Sequence, residues 1–102
     1  MLTRPYRDVI ERQLGLFADE QAELLRDVRK AERAYDRGDR DDAEERYGDY
    51  SDLVETATEI LADLRDHFAS TLSEEAASRY RAAFDKTVRK RWPPFGVEIE
   101  DH

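Results

Sequence analysis

The chain contains no cysteine, which excludes disulfides, thiolate zinc sites and thiol nucleophiles. Histidine is scarce, with His67 and His102 alone in the sequence. Four glycines and three prolines in 102 residues are too few for the turns of an all-β fold. No apolar run approaches the roughly 18 residues that span a bilayer. The first residues, Met-Leu-Thr-Arg-Pro-Tyr-Arg-Asp, carry charge where a secretion signal needs an apolar stretch, so the expected location is cytoplasmic. Positive charge is also in deficit. There are 17 Lys+Arg against 25 Asp+Glu, a net charge of −8, which argues against general nucleic-acid binding by the whole domain.

What is present is charge with a helical beat. Charged residues make up 41% and hydrophobic residues 39%. The length suits one domain that buries about 60–65% of its unfolded surface, so the core must be thin and elongated or shared with a partner. A first helix is expected over about 4–37, with Thr3 as its cap and Pro5 tolerated in the first turn. Its apolar positions form two heptad seams, Ile10, Phe17, Leu24, Ala31 and Leu14, Gln21, Val28, Tyr35, with Gln21 as a polar layer. Gly38 is its stop. A second helix is expected over 39–70. Asp39 would cap it, and the acidic residues that follow would complement its dipole. Its seam is Ala43, Tyr47, Tyr50, Val54, Ala57, Leu61, Leu64 and Phe68, every step four or three. Gly48 lies inside this helix, through either a close crossing or simple tolerance. A third helix is expected over 73–92, capped by Ser73, with Ala77, Tyr80, Ala83, Phe84 and Val88 on its apolar face. It stops at Pro93-Pro94.

Residues 93–102 alternate apolar and acidic side chains and read as an extended tail. Its Phe95, Val97 and Ile99 would lie on the helices or on a second chain. The expected architecture is thus all-α: a bundle over 1–92, built as a long antiparallel hairpin plus a shorter third helix, and then the tail. The single turn Asp36-Arg37-Gly38-Asp39 makes the first two helices antiparallel neighbours, each about 45 Å long. The third, at about 27 Å, covers only the half of the hairpin away from its closed tip. The tip half keeps an apolar seam of Leu24, Val28, Ala31, Tyr35, Tyr47, Tyr50 and Val54. Unshared apolar surface of this kind marks an interface, and a second copy completing a four-helix bundle is the simplest cover.

Residue patterns that carry chemistry point elsewhere. The eight carboxylates between Asp36 and Asp52 enter a helix directly and offer no calcium loop. His67 lacks the Glu-x-x-His pattern of di-metal bundles and is expected to be partly buried and hydrogen-bonded; no metal or other cofactor is expected. Ser51, Ser70, Ser73 and Ser78 have no paired histidine, and no glycine loop cradles a phosphate, so no catalytic residue is assigned. The positive run Lys86, Arg89, Lys90, Arg91 beside Trp92 suits either the negative end of a helix dipole or a phosphate backbone with Trp92 stacked on a base. Trp92-Pro93-Pro94-Phe95 is stiff enough to act as a docking peptide or to fold its aromatics back on the bundle.

The string Ala34-x-x-x-Gly38-Asp39-x-x-x-Ala43-x-x-x-Tyr47 resembles the inter-helix turn of a tetratricopeptide hairpin. In that family small residues and an aromatic let two helices cross closely, and stacked repeats bind peptides. The string occurs once, so the resemblance implies a close helical turn and no repeat array.

The expected function is therefore a small acidic protein–protein interaction module without catalytic activity. It would self-associate through the tip half of its hairpin, as a dimer first or with another helical protein. A charge placed at Tyr50 or Val54 should split the assembly. The alternative is a nucleic-acid-associated regulator using Lys86 to Trp92.

Overall fold

Helical propensity and heptad spacing run through nearly the whole sequence, and the computed structural model, which describes residues 6–38 and 41–102, is correspondingly all-α. Among the described residues there are five helices and no strand: α1 Arg7–Glu20, α2 Ala22–Arg37, α3 Ala43–Ala69, α4 Glu74–Arg91 and α5 Pro93–Ile99. The caps expected at Thr3 and Asp39, the expected helix start at Arg4 and the place of Pro5 in the first turn lie outside the described residues.

The first correction concerns the helix expected over 4–37, which is two helices. The break falls on Gln21, whose backbone leaves helical geometry (φ −109°, ψ 30°). The hydrogen-bond ladder nearly persists through it, with Gln21 N–H donating to the Phe17 carbonyl at 2.8 Å and Leu25 N–H to Gln21 at 2.9 Å. The break is thus a single non-helical residue between two helices that follow one another without a loop. It occurs at the polar layer of the seam, one turn beyond Phe17, which touches Trp92 at the end of α4 (centroids 5.4 Å apart). Below that level α1 packs into a bundle; above it α2 packs chiefly on α3.

The chain runs up through α1 and α2, down α3, and up α4. Tyr35 meets Tyr47 and Glu32 meets Tyr50, so α2 and α3 are antiparallel. Tyr6 and Gln13 meet Tyr80 while Phe17 meets Trp92, so α1 and α4 are parallel. Ser73 caps α4 by accepting from the Ala76 N–H at 3.2 Å, the end of the helix that Glu74 and Glu75 also complement. At the other chain end Tyr6 takes a left-handed conformation (φ 65°), uncommon outside glycine, while its ring packs edge-on against Tyr80 at 5.5 Å.

The second correction concerns residues 93–102, which are not extended. Pro93 and Pro94 occupy the first positions of α5, where their missing N–H groups have no intrahelical partner to lose and their fixed φ already suits a helix. Phe95, Val97 and Ile99 would share one face of an extended strand; in the helix Phe95 and Ile99 stand four apart on one face and are 2% and 0% exposed. Val97, the residue between, is 73% exposed and lies off the core. Gly96 fits this crossing because a Cβ there would sit 2.4 Å from the Arg89 Cα.

The core occupies the four-helix half. Ile10 and Leu14 of α1, Leu61 of α3, Tyr80, Phe84 and Val88 of α4, and Phe95 and Ile99 of α5 are all essentially buried. Each large apolar side chain contributes about 1.5–3 kcal/mol on burial. Tyr80 is the hub. Its ring lies 4.8 Å from Phe68 and 5.8 Å from Phe84, and its hydroxyl donates to Gln13 Oε1 at 2.7 Å. The α2 helix contributes only Leu25 and Val28 to the buried set. The described residues extend 51 × 24 × 23 Å with a radius of gyration of 15.4 Å, above the roughly 13 Å of a compact chain this long.

Burial pushes the Tyr80 phenol up to about 12. A phenol whose folded pKa is raised contributes stability that is complete below its ordinary value near 10 and is lost as pH rises through about 12. Spectrophotometric titration at the phenolate absorbance band should therefore resolve a late-titrating tyrosine, absent in Tyr80→Phe. Stability measured by urea should fall across that pH window in wild type and less steeply in the variant.

Candidate functional site

At the tip, the structure divides the expected interface residues into two groups. Val28 and Val54 are 6% and 4% exposed, seated in the chain's own core, together with Leu25, which the heptad reading did not include. Leu24, Ala31 and Tyr50 are half-buried, and Tyr35 and Tyr47 are exposed. The Tyr35 and Tyr47 rings tilt against each other with centroids 5.6 Å apart. Tyr50 donates from its hydroxyl to Glu32 at 3.3 Å, and burial followed by the Glu32 charge raises its pKa. The part of the seam left exposed is thus a tyrosine face, not the whole seam. Gly38 ends α2 in an extended conformation (φ −71°), so its role is spatial: the Arg46 side chain folds over it, its Cδ 2.6 Å from where a Cβ would be. Around this face the chain is acidic. Residues 41–52 hold Asp41, Asp42, Glu44, Glu45, Asp49 and Asp52 against one arginine, Arg46.

At the far end of α4 the basic run is split between surfaces. Arg89 bonds Glu100 of the α5 C-cap, and Arg91 stacks over Trp92 at 4.7 Å. Trp92 is half-buried between Phe17 and Phe95, at 5.4 and 6.0 Å. Phe95, expected as a docking side chain, is instead buried in the chain's own core. Lys86 and Lys90 turn toward α1. There they line an open groove of about 720 Å³ floored by Ile10, Ala83 and Thr87 and edged by Arg7 and Arg79. Arg7 pairs with Glu11 at 3.4 Å and Arg79 with Glu75 at 3.1 Å.

One cluster escaped the sequence reading. Arg65, 3% exposed on its side chain, pairs with Asp85 and Asp66 at 2.9 Å each. It also donates to the carbonyls of Ile99, at 3.1 Å, and His102. Asp66 reaches out to Arg81 at 3.1 Å. Burial works against the Arg65 charge, but the hydrogen bonds it donates to Asp66 and Asp85 outweigh it and hold its pKa up. Burial raises Asp85, whereas bonds from Arg65 and Arg81 overcome burial and lower Asp66. The cluster ties α3, α4 and the chain end together. Its signal was present in the spacing: Arg65 stands four residues after Leu61 on the buried stripe.

His67, expected to be partly buried, is exposed; its carbonyl accepts from Ser70 Oγ at 2.6 Å. Among the described residues no group of three or more histidines and carboxylates is placed to hold a metal ion, and no helix is long and apolar enough to cross a membrane. No family model matches the chain, nor does any curated protein or solved structure.

Proposed function

We propose that this chain is a small acidic protein–protein interaction module without catalytic activity, and that it self-associates through the tip half of its helical hairpin. The observation that carries this reading is the exposed Tyr35–Tyr47 pair, 38% and 54% exposed, standing beyond the level at which α4 ends. Tyrosine supplies a large, stiff contact area at low entropic cost, which is why it concentrates at interfaces. Leu24, Ala31 and Tyr50 extend the same surface with half-covered apolar atoms. A twofold dimer remains the first expectation, since it is the commonest closed assembly.

Val54→Asp is a poor test, because it would bury a charge in the chain's own core and unfold the tip directly. Tyr47→Asp is the better one. Tyr47 is more than half exposed, so helicity by circular dichroism should be unchanged while self-association in sedimentation velocity is lost. Undiminished association in Tyr47→Asp would overturn the reading. Phosphate-backbone binding by Lys86 to Trp92 has less support, because Arg89 is held by Glu100 and Arg91 by Trp92.

A further inference from the structure

The groove between α1 and α4 reverses the charge of the molecule around it. The chain carries −8, yet the groove is lined by Arg7, Arg79, Lys86 and Lys90 against the single carboxylate of Glu11. Arg7 and Arg79 have carboxylate partners; among the described residues no ion pair involves Lys86 or Lys90. These two lysines stand one turn apart on α4, on the same side, above a floor of Ile10, Ala83 and Thr87. Ala83 is small, and that keeps the floor low enough to admit a side chain from outside.

The opposite end of the molecule has the complementary character. The tyrosine face is exposed, and the carboxylates around it, among them the exposed Asp36 and Glu44, outnumber its arginines Arg33, Arg37 and Arg46. Two such faces pressed together would bring two net-negative surfaces into contact, and like charge across an interface works against pairing. Tip against groove sets carboxylates against lysines and aromatic rings against an apolar floor.

We infer that the α1–α4 groove is the receptor for the acidic tyrosine tip of a second copy of this chain. This rests on the reading of the tip as a self-association surface and names what the tip meets. The described residues extend 51 Å with tip and groove toward opposite ends, and an antiparallel pair of copies that made both contacts would close by twofold symmetry.

A charge swap tests it. Lys86→Glu with Lys90→Glu should weaken self-association by at least about tenfold at low salt. Asp36→Lys with Glu44→Lys should weaken it similarly. These tip changes fall in the last turn of α2 and the first turn of α3, so their helix-dipole effects oppose each other and the fold should hold, as circular dichroism will report. The chain carrying all four substitutions should associate again to within a few-fold of wild type. A chain combining the two groove substitutions with Glu59→Lys and Asp63→Lys has the same net charge and should not. If the groove variant associates like wild type while Tyr47→Asp does not, the tips pair with each other; the inference then falls and the proposed function stands. Failure of the four-substitution chain to recover likewise overturns the inference. If wild type itself stays monomeric, both fall.

Discussion

Arg65→Met is expected to destabilise the protein by about 3–5 kcal/mol, the range for removing one partner of a buried ion pair. Methionine keeps most of the volume and none of the five donors. Asp85, 16% exposed on its side chain, then keeps a carboxylate with no guanidinium beside it, and the carbonyls of Ile99 and His102 lose the donor that holds the chain end. For a chain of this length the loss corresponds to a fall in Tm of more than about 10 °C, read by helical circular dichroism. The penalty lies mainly in the stranded partner, so Arg65→Met with Asp85→Leu should recover a large part of it. The acid limb of the stability curve gives a second readout. Asp66 has a lowered folded pKa, so its contribution is present above the ordinary carboxylate range and is lost as pH falls through the lowered value. That acid sensitivity should be blunted in Arg65→Met, since Asp66 then keeps only Arg81. A variant as stable as wild type would show that the cluster contributes nothing to holding α5.

Gly96→Val is expected to displace α5. At Gly96 a Cβ would stand 2.4 Å from the Cα and 2.5 Å from the Cβ of Arg89, so the obstruction is a helix backbone and no rotamer change relieves it. Overpacking typically costs about 1–3 kcal/mol; here the crossing must open, which exposes Phe95 and Ile99 and adds the loss of their burial. Trp92 is the sole tryptophan and packs against Phe95, so its fluorescence should shift to the red. Gly48→Ala is the matching control. A Cβ at Gly48 meets nothing within 4 Å, so alanine there should stabilise by about 0.5–1 kcal/mol through helix propensity and leave Trp92 unchanged. That open space also answers the question the sequence left about Gly48: it is tolerated, and no close crossing requires it.

The α-helical class, the Ser73 cap and the antiparallel meeting of α2 with α3 were legible because each depends on local rules: heptad steps, a side-chain acceptor before two glutamates, and a turn of a few residues. What was not legible depends on register over distance. A straight helix drifts by about 20° per heptad against a seven-residue repeat. The buried stripe of α3 therefore moves from Val54 and Ala57 to Thr58, Leu61, Arg65 and Ala69, leaving Leu64 and Phe68 half-covered. The same drift carries Arg65 inward. The tail was misread because Phe95, Val97 and Ile99 satisfy a period of two, while Phe95 and Ile99 alone satisfy a helical step of four. Pro93-Pro94 ends one helix and suits the start of another equally well. Of the interface residues, the tyrosines were recognisable as surplus aromatics, but sequence could not tell that Val28 and Val54 are absorbed by the pairing of α2 with α3. The groove was hidden because it joins residues about 80 positions apart, Arg7 and Ile10 with Lys86 and Lys90.

The most direct measurement is sedimentation velocity on wild type and Tyr47→Asp together, at low salt over a range of micromolar concentrations. Wild type should pass from one-chain to two-chain mass as concentration rises, and Tyr47→Asp should hold one-chain mass throughout with unchanged helicity. A wild-type chain that sediments as a single copy at every concentration, or a Tyr47→Asp chain that pairs as wild type does, would contradict the tip as the surface through which the molecule recognises its own kind.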